Sequence, residues 1–210
     1  MNKTLNRLKV FFKPYQGILF FMFLLFLFHF LWKIAIDGDI YDENIYFFGR
    51  DITPSWFTPA CHLFTQTVAC FIRLFPNTQD LLVEYDRLKF ATEGNIWIRL
   101  IWGCLGFKQM LIYSGVILCY WGPLLKKLWY IPLGCFILSV YNVIRVAVTV
   151  WLTNGAPERF DSLHDGILRI IYYTIVFALW VVWENFIIKR NYKYAIRSDK
   201  NTKSEKGNAD

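Results

Sequence analysis

Four stretches of the chain are apolar for long enough to approach the length a lipid bilayer demands, about 20 residues of helix. They run from Tyr15 to Ile36, Leu105 to Trp121, Leu128 to Leu152 and Ile167 to Ile188. A fifth apolar stretch, Pro54 to Phe75, is broken by His62, Thr65, Gln66, Thr67 and Arg73. That mixture predicts a helix lying in the outer interface, or dipping in and returning, rather than a span. Between residues 80 and 103 the period changes to rough alternation, with Glu93-Gly94-Asn95 as a turn signal. This predicts a β-hairpin of two short strands that ends just before Cys104. The polar end, SDKNTKSEKGNAD, reads as disordered. The expected fold is an all-α membrane protein: a polytopic helical bundle of about four transmembrane helices with an outer interfacial helix and a small β-hairpin. Residues 1–14 read as a basic cytoplasmic N-terminus, 15–188 as the membrane-embedded domain and 189–210 as a basic cytoplasmic tail, partly disordered.

Composition agrees. The 210 residues are 56% hydrophobic, 20% aromatic and 19% charged, with a mean hydropathy of +0.33. Soluble domains carry about 25% charged residues. Five cysteines in 210 residues do not make a disulfide-framed secreted domain. The net charge of +7 belongs to the two ends. Lys3, Arg7, Lys9 and Lys13 precede the first span without an acid among them, and seven basic residues against three acids follow Ile188. Basic residues that flank apolar runs follow the positive-inside rule, whereas a nucleic-acid binder gathers them on a folded face; no nucleic-acid partner is expected.

Topology follows from the same charges. A cytoplasmic N-terminus sends residues 37–53, with Asp37, Asp39, Asp42, Glu43 and Asp51, to the outside. The short GPLLKKL loop, with Lys126 and Lys127, belongs inside, and the segment 154–166, with Glu158, Asp161 and Asp165, outside. Parity then keeps Pro54 to Phe75 out of the count of spans. The chain is expected to be a multi-pass protein of the cell inner membrane, in contact with the lipid bilayer.

Polar groups inside such spans usually mark function. Arg145 lies in the otherwise apolar CFILSVYNVIRVAVTVWL, with Asn142 three residues earlier on the same helical face. Snorkelling to the nearby outer boundary is the plain alternative. Cys104 is expected to open a helix, where the positive end of the dipole and Lys108, one turn on, both lower a thiol's pKa. Gly103 and Gly106 beside it allow another backbone to come close. Cys61, Cys70, Cys119 and Cys135 read as small buried hydrophobes. His164 opens the last span between Asp161 and Asp165, either of which can orient or charge it. A thiol, an imidazole and a guanidinium on one side of the membrane are the parts of a cysteine acyl-transfer site. His29 and His62 remain outside this set. The sequence has no CxxC, HExxH, GxGxxG, Walker or GxSxG motif, and no metal or cofactor is expected.

At these places the chain resembles the exosortase/archaeosortase family. The residues that carry the likeness are Gly103-Cys104-Leu105-Gly106, then Asn142-Val143-Ile144-Arg145 on the next span, then His164 at the start of the one after. The resemblance covers roughly residues 80–188. It departs in having about four spans where many members have about eight, and Leu105 where a small or hydroxyl residue is usual; it looks like one of the short exosortase-family forms, such as those of Bacteroidetes-type bacteria. The resemblance implies a membrane cysteine peptidase or transpeptidase acting on exported proteins that end in a short signature, one transmembrane helix and a basic cluster. Cys104 would attack at the outer, periplasmic face and form a thioester, His164 would move protons, and Arg145 would hold the oxyanion or orient the substrate, with Asn142, Lys108 and Asp165 in support. Two other classes stay open. A non-catalytic assembly factor would use Arg145 and His164 as interhelical glue. A small-molecule or lipid transporter would draw on Arg169 and Glu184 in the last span.

Overall fold

Gln16–Ala35 forms α1, a helix of 20 residues in which Phe21 and Leu24 are the buried positions. Most of its remaining side chains are large and apolar, and Phe23, Phe26 and Phe30 are each more than half exposed. An apolar helix that hides so little of its surface is built for lipid rather than water. The computed structural model describes residues 16–37, 45–76, 78, 80–90, 98–100, 102–153, 166 and 168–188. The basic N-terminus, the tail from residue 189 and the acidic segment 154–165 lie outside the described residues.

Four further α-helices follow among the described residues. α2 is Phe57–Ile72 and α3 is Phe107–Cys119. α4, Leu124–Thr153, has 30 residues, and α5, Leu168–Val182, continues as a π-helical turn over Trp183–Ile188. Among the described residues, three helical stretches are long and apolar enough to cross a membrane: Gln16–Ala35, Leu124–Thr153 and Ile170–Ile187. α3 follows the second of the four apolar stretches of the sequence, yet its 13 residues give only about 20 Å, against a hydrocarbon core of about 30 Å. Its N-terminus is set by Gly106, at φ 72°, in the left-handed region that suits glycine. Before it, Trp102–Leu105 forms a 3-10 turn. Cys104 therefore sits in that turn, two residues ahead of the helix cap, and does not open the α-helix as the sequence suggested.

α1, α3, α4 and α5 pack antiparallel in sequence. At one end Phe20 stacks on Trp121 with ring centroids 4.9 Å apart, the Trp183 indole donates to the Trp121 carbonyl, and the Tyr120 hydroxyl donates to Glu184 at 2.9 Å. At the other end Trp32 meets Phe107, and the Tyr141 hydroxyl donates to the Leu168 carbonyl at 3.0 Å. Between the ends lies a core that includes Phe21, Tyr113, Val116, Ile117, Tyr130, Leu138, Tyr172 and Trp180. Gly134 lets α3 and α4 approach: a Cβ there would overlap the Tyr113 phenol ring. Lys127 is buried at the other end of α3 and donates to the carbonyls of Leu118 and Tyr120. Its ammonium caps α3's last turn, so one of the two cations read as a cytoplasmic loop signal also has a structural duty.

Among the described residues, two small antiparallel sheets flank the helices. The first joins β1 (Ile36–Asp37), β2 (Tyr46–Phe47) and β3 (Arg50–Asp51). The second joins β4 (Leu81–Glu84), β5 (Arg87–Phe90) and β6 (Ile98–Arg99). The alternation over 80–103 thus makes three strands, and the β4–β5 turn falls at Tyr85–Asp86, ahead of Glu93-Gly94-Asn95, which lies outside the described residues. Tyr85 adopts φ 49°, an uncommon conformation for a bulky residue. Its ring stacks on His62 at 4.6 Å, and the Asp86 carboxylate accepts from Arg99 at 2.6 Å; these contacts offset the strain. The second sheet and α2 share a core with the later half of α4: Val68, Ala69 and Ile72 pack with Leu81, Leu88 and Leu100 on Val146, Ala147 and Val150.

Candidate functional site

Asn142 and Arg145 occupy one face of α4 and are almost wholly buried, at 1% and 5% exposure. A polar side chain is hidden to that degree only where partners offset its desolvation. For Asn142 the partner is the Cys104 turn. Its Nδ2 donates to the Cys104 carbonyl at 2.6 Å, and a Cβ added at Gly106 would stand 3.0 to 3.2 Å from the atoms of its amide. Glycine at 106 thus serves two needs, the left-handed cap of α3 and room for the Asn142 amide. Two motifs separated by the whole of α3 and more than half of α4 are fastened together by one hydrogen bond. The other amide atom, Asn142 Oδ1, is buried and accepts no hydrogen bond among the described residues.

Arg145 lies one turn beyond Asn142, and its charge is felt at Tyr141 and at Tyr172 of α5. Tyr141 in turn holds the start of α5 through Leu168. The beginning of α5, four residues after His164 in the chain, is therefore tied to α4 at the level of Asn142 and Arg145. His164 and Asp165 themselves lie outside the described residues. Lys108 is half-buried in the first turn of α3.

Asn142 stands about 27 Å along α4 from Leu124, at 1.5 Å per residue. The part of α4 beyond it is the part covered by α2 and the second sheet, so this end of the molecule carries a folded cap over the turn.

Cys104 packs in that cap against the cluster containing Val68, Ala69, Ile72, Val146 and Val150. Here the structure brings in residues that the sequence reading passed over. Burial pushes the Cys61 thiol up to about 11, and neighbouring Cys104 and Asp86 push the same way against Arg99. Cys61, Cys104, Asp86 and Arg99 thus share one neighbourhood. The available signal was the helical spacing of Phe57, Cys61 and Thr65 on one face of α2; the hairpin pair Asp86 and Arg99 had none, because the turn was placed elsewhere.

The structure also contains an apolar cavity of about 870 Å³. It opens between α1, α3 and the first sheet, with Phe28, Trp32, Phe47, Trp56 and Phe107 among its walls, and neither Cys104, Asn142 nor Arg145 lines it. Glu184, the acid that favoured a transport path, is engaged by the Tyr120 hydroxyl at the opposite end of the bundle.

No family model matches the chain, no curated protein matches its sequence and no solved structure matches its fold.

Proposed function

We propose that the chain is a membrane-embedded cysteine peptidase or transpeptidase of the exosortase kind, working at the outer face of the inner membrane. The observation that carries this reading is the Asn142 hydrogen bond to Cys104. It joins the cysteine motif to the Asn-x-x-Arg motif, and Tyr141 brings the chain that follows His164 to the same level. In this reading α3 with its 3-10 turn acts as a fourth, shortened span, which restores the even count that two basic ends require, and α2 lies over the outer boundary.

The chemistry is acyl transfer. His164 takes the proton of the Cys104 thiol as the thiolate adds to the scissile carbonyl, and then gives that proton to the leaving amine. Arg145 stabilises the oxyanion with a charge-assisted hydrogen bond inside a site that excludes water. The Oδ1 of Asn142 offers a buried acceptor for an N–H of the bound peptide. Collapse of the tetrahedral adduct expels the amine and leaves a thioester on Cys104, which water or an envelope amine or hydroxyl then resolves. The substrate is an exported protein ending in signature, helix and basic cluster. The test is precursor cleavage followed on a gel, with membrane levels measured alongside. Cys104→Ala and Cys104→Ser are expected to insert normally and accumulate uncleaved precursor, while Cys119→Ala and Cys135→Ala cleave it. Normal cleavage by a well-expressed Cys104→Ala protein puts the assembly-factor reading first.

A further inference from the structure

The buried stripe of α2 runs through Phe57, Thr65, Val68, Ala69 and Ile72. Cys61 falls on the same stripe, one turn before Thr65, whose hydroxyl donates back to the Cys61 carbonyl at 2.8 Å. This face of α2 packs on α4 and on the 3-10 turn, with Cα atoms of α2 and the turn within 8 Å of one another. Cys104 belongs to the turn and packs against the cluster that includes Val68, Ala69 and Ile72 of that stripe, and it lies near enough to Cys61 to raise that thiol's pKa. Both sulfurs are thiols here. Covalent pairing of two cysteines on such facing elements needs a Cα separation of about 4.4–6.8 Å.

We propose that Cys61 and Cys104 form a dithiol site that closes reversibly to a disulfide and so masks the thiol at position 104. The masking of activity rests on the peptidase reading; the bond itself does not. A disulfide oxidant such as glutathione disulfide drives the step. The Cys104 thiolate attacks one sulfur of the oxidant and displaces one glutathione thiolate. That thiolate takes the Cys61 proton as Cys61 attacks the Cys104 sulfur and expels the second glutathione. The two protein thiols lose two electrons and two protons in all, and one glutathione disulfide becomes two glutathione thiols. Cys104 acts first because burial keeps Cys61 protonated at neutral pH.

The experiment treats the full-length protein, purified in detergent, with glutathione disulfide at neutral pH, then unfolds it in acid denaturant, blocks the remaining thiols after neutralisation and maps peptides by mass spectrometry. The expected product is a linked peptide pair joining Cys61 to Cys104, with alkylation of both lost and then restored by dithiothreitol. Cys70, Cys119 and Cys135 are expected to keep their alkylation. In Cys61→Ser and Cys61→Ala, Cys104 is expected to remain as a glutathione adduct, with no linked pair. An adduct on Cys104 of the wild-type protein without a linked pair overturns the proposal, as does linkage of Cys104 to another cysteine. Linked protein that cleaves precursor at the reduced rate overturns the masking, whereas a linked protein inactive in both redox states leaves the dithiol standing and removes the peptidase reading.

Discussion

The side-chain amide of Asn142 donates to the backbone carbonyl of Cys104 at 2.6 Å. A donor aimed at main chain holds the turn's position whatever the thiol is doing, so the motif's asparagine acts on the cysteine through geometry. Asn142→Leu keeps the volume and removes this donor, which costs about 0.5–1.5 kcal/mol for one hydrogen bond. Precursor cleavage is expected to fall by at least about tenfold, the equivalent of about 1.4 kcal/mol, with Cys104 alkylation altered in rate. Unchanged cleavage and alkylation in a normally inserted Asn142→Leu protein would mean that the hydrogen bond has no part in holding the thiol.

Gly106 tests the same joint from the other side. Alanine there must adopt φ 72°, which costs roughly 1–2 kcal/mol for an L residue. Its Cβ would also sit 3.0 Å from Asn142 Cγ. Gly106→Ala is expected to lower thermal stability and cleavage together, and Gly103→Ala to do less. A Gly106→Ala protein as stable and active as the parent would show that the cap relaxes without disturbing Asn142.

Much of the bundle was legible because membrane spans announce themselves by length and hydropathy. The run Tyr15 to Ile36 became Gln16–Ala35, and Leu128 to Leu152 lies within Leu124–Thr153. The pairing of Asn142 with Arg145 on one face was legible from helical spacing. Its partner was not, since a hydrogen bond to the Cys104 carbonyl leaves no trace in side-chain chemistry. The hairpin turn was misplaced because Tyr85 carries a left-handed backbone without the glycine or asparagine that signals one; stacking on His62 supplies what the local sequence lacks. The first sheet escaped because its strands are two residues long, too short for any alternation to register. Cys61 was read as a small hydrophobe, which its stripe position supports; only the packing of α2 on the turn reveals its neighbour.

The Cys61 thiol gives a pH signature. Burial first, then the proximity of Cys104 and Asp86, raise it to about 11 while Arg99 opposes them. A raised thiol pKa means less thiolate at every pH below it, against an ordinary value of about 8.5. Alkylation of Cys61 in the folded protein is therefore expected to be slow at pH 7 and to climb about tenfold per pH unit until near 11. Asp86→Asn removes a negative neighbour and shifts the profile to lower pH; Arg99→Gln shifts it higher. A midpoint near 8.5 in the native protein would place Cys61 in solvent instead of against the turn.

Arg145 separates catalysis from anchoring. It is 5% exposed, and its α4 face is the one that carries Asn142 and meets the start of α5 through Tyr141. A side chain that only snorkels needs positive charge and reach, and lysine supplies both. A group that holds a developing oxyanion needs the planar fork of the guanidinium, which lysine lacks. Arg145→Lys is therefore expected to insert and fold at near parental level and to lose cleavage by about 10²–10³-fold, the usual effect of removing one oxyanion donor. The loss should fall on kcat with KM little changed, because the interaction belongs to the transition state. Arg145→Met removes the charge while keeping much of the stem, so it should be as inactive as the lysine variant. Near-parental cleavage by Arg145→Lys, together with a poorly inserted Arg145→Met, would assign the residue to anchoring and leave the oxyanion to backbone donors of the Cys104 turn.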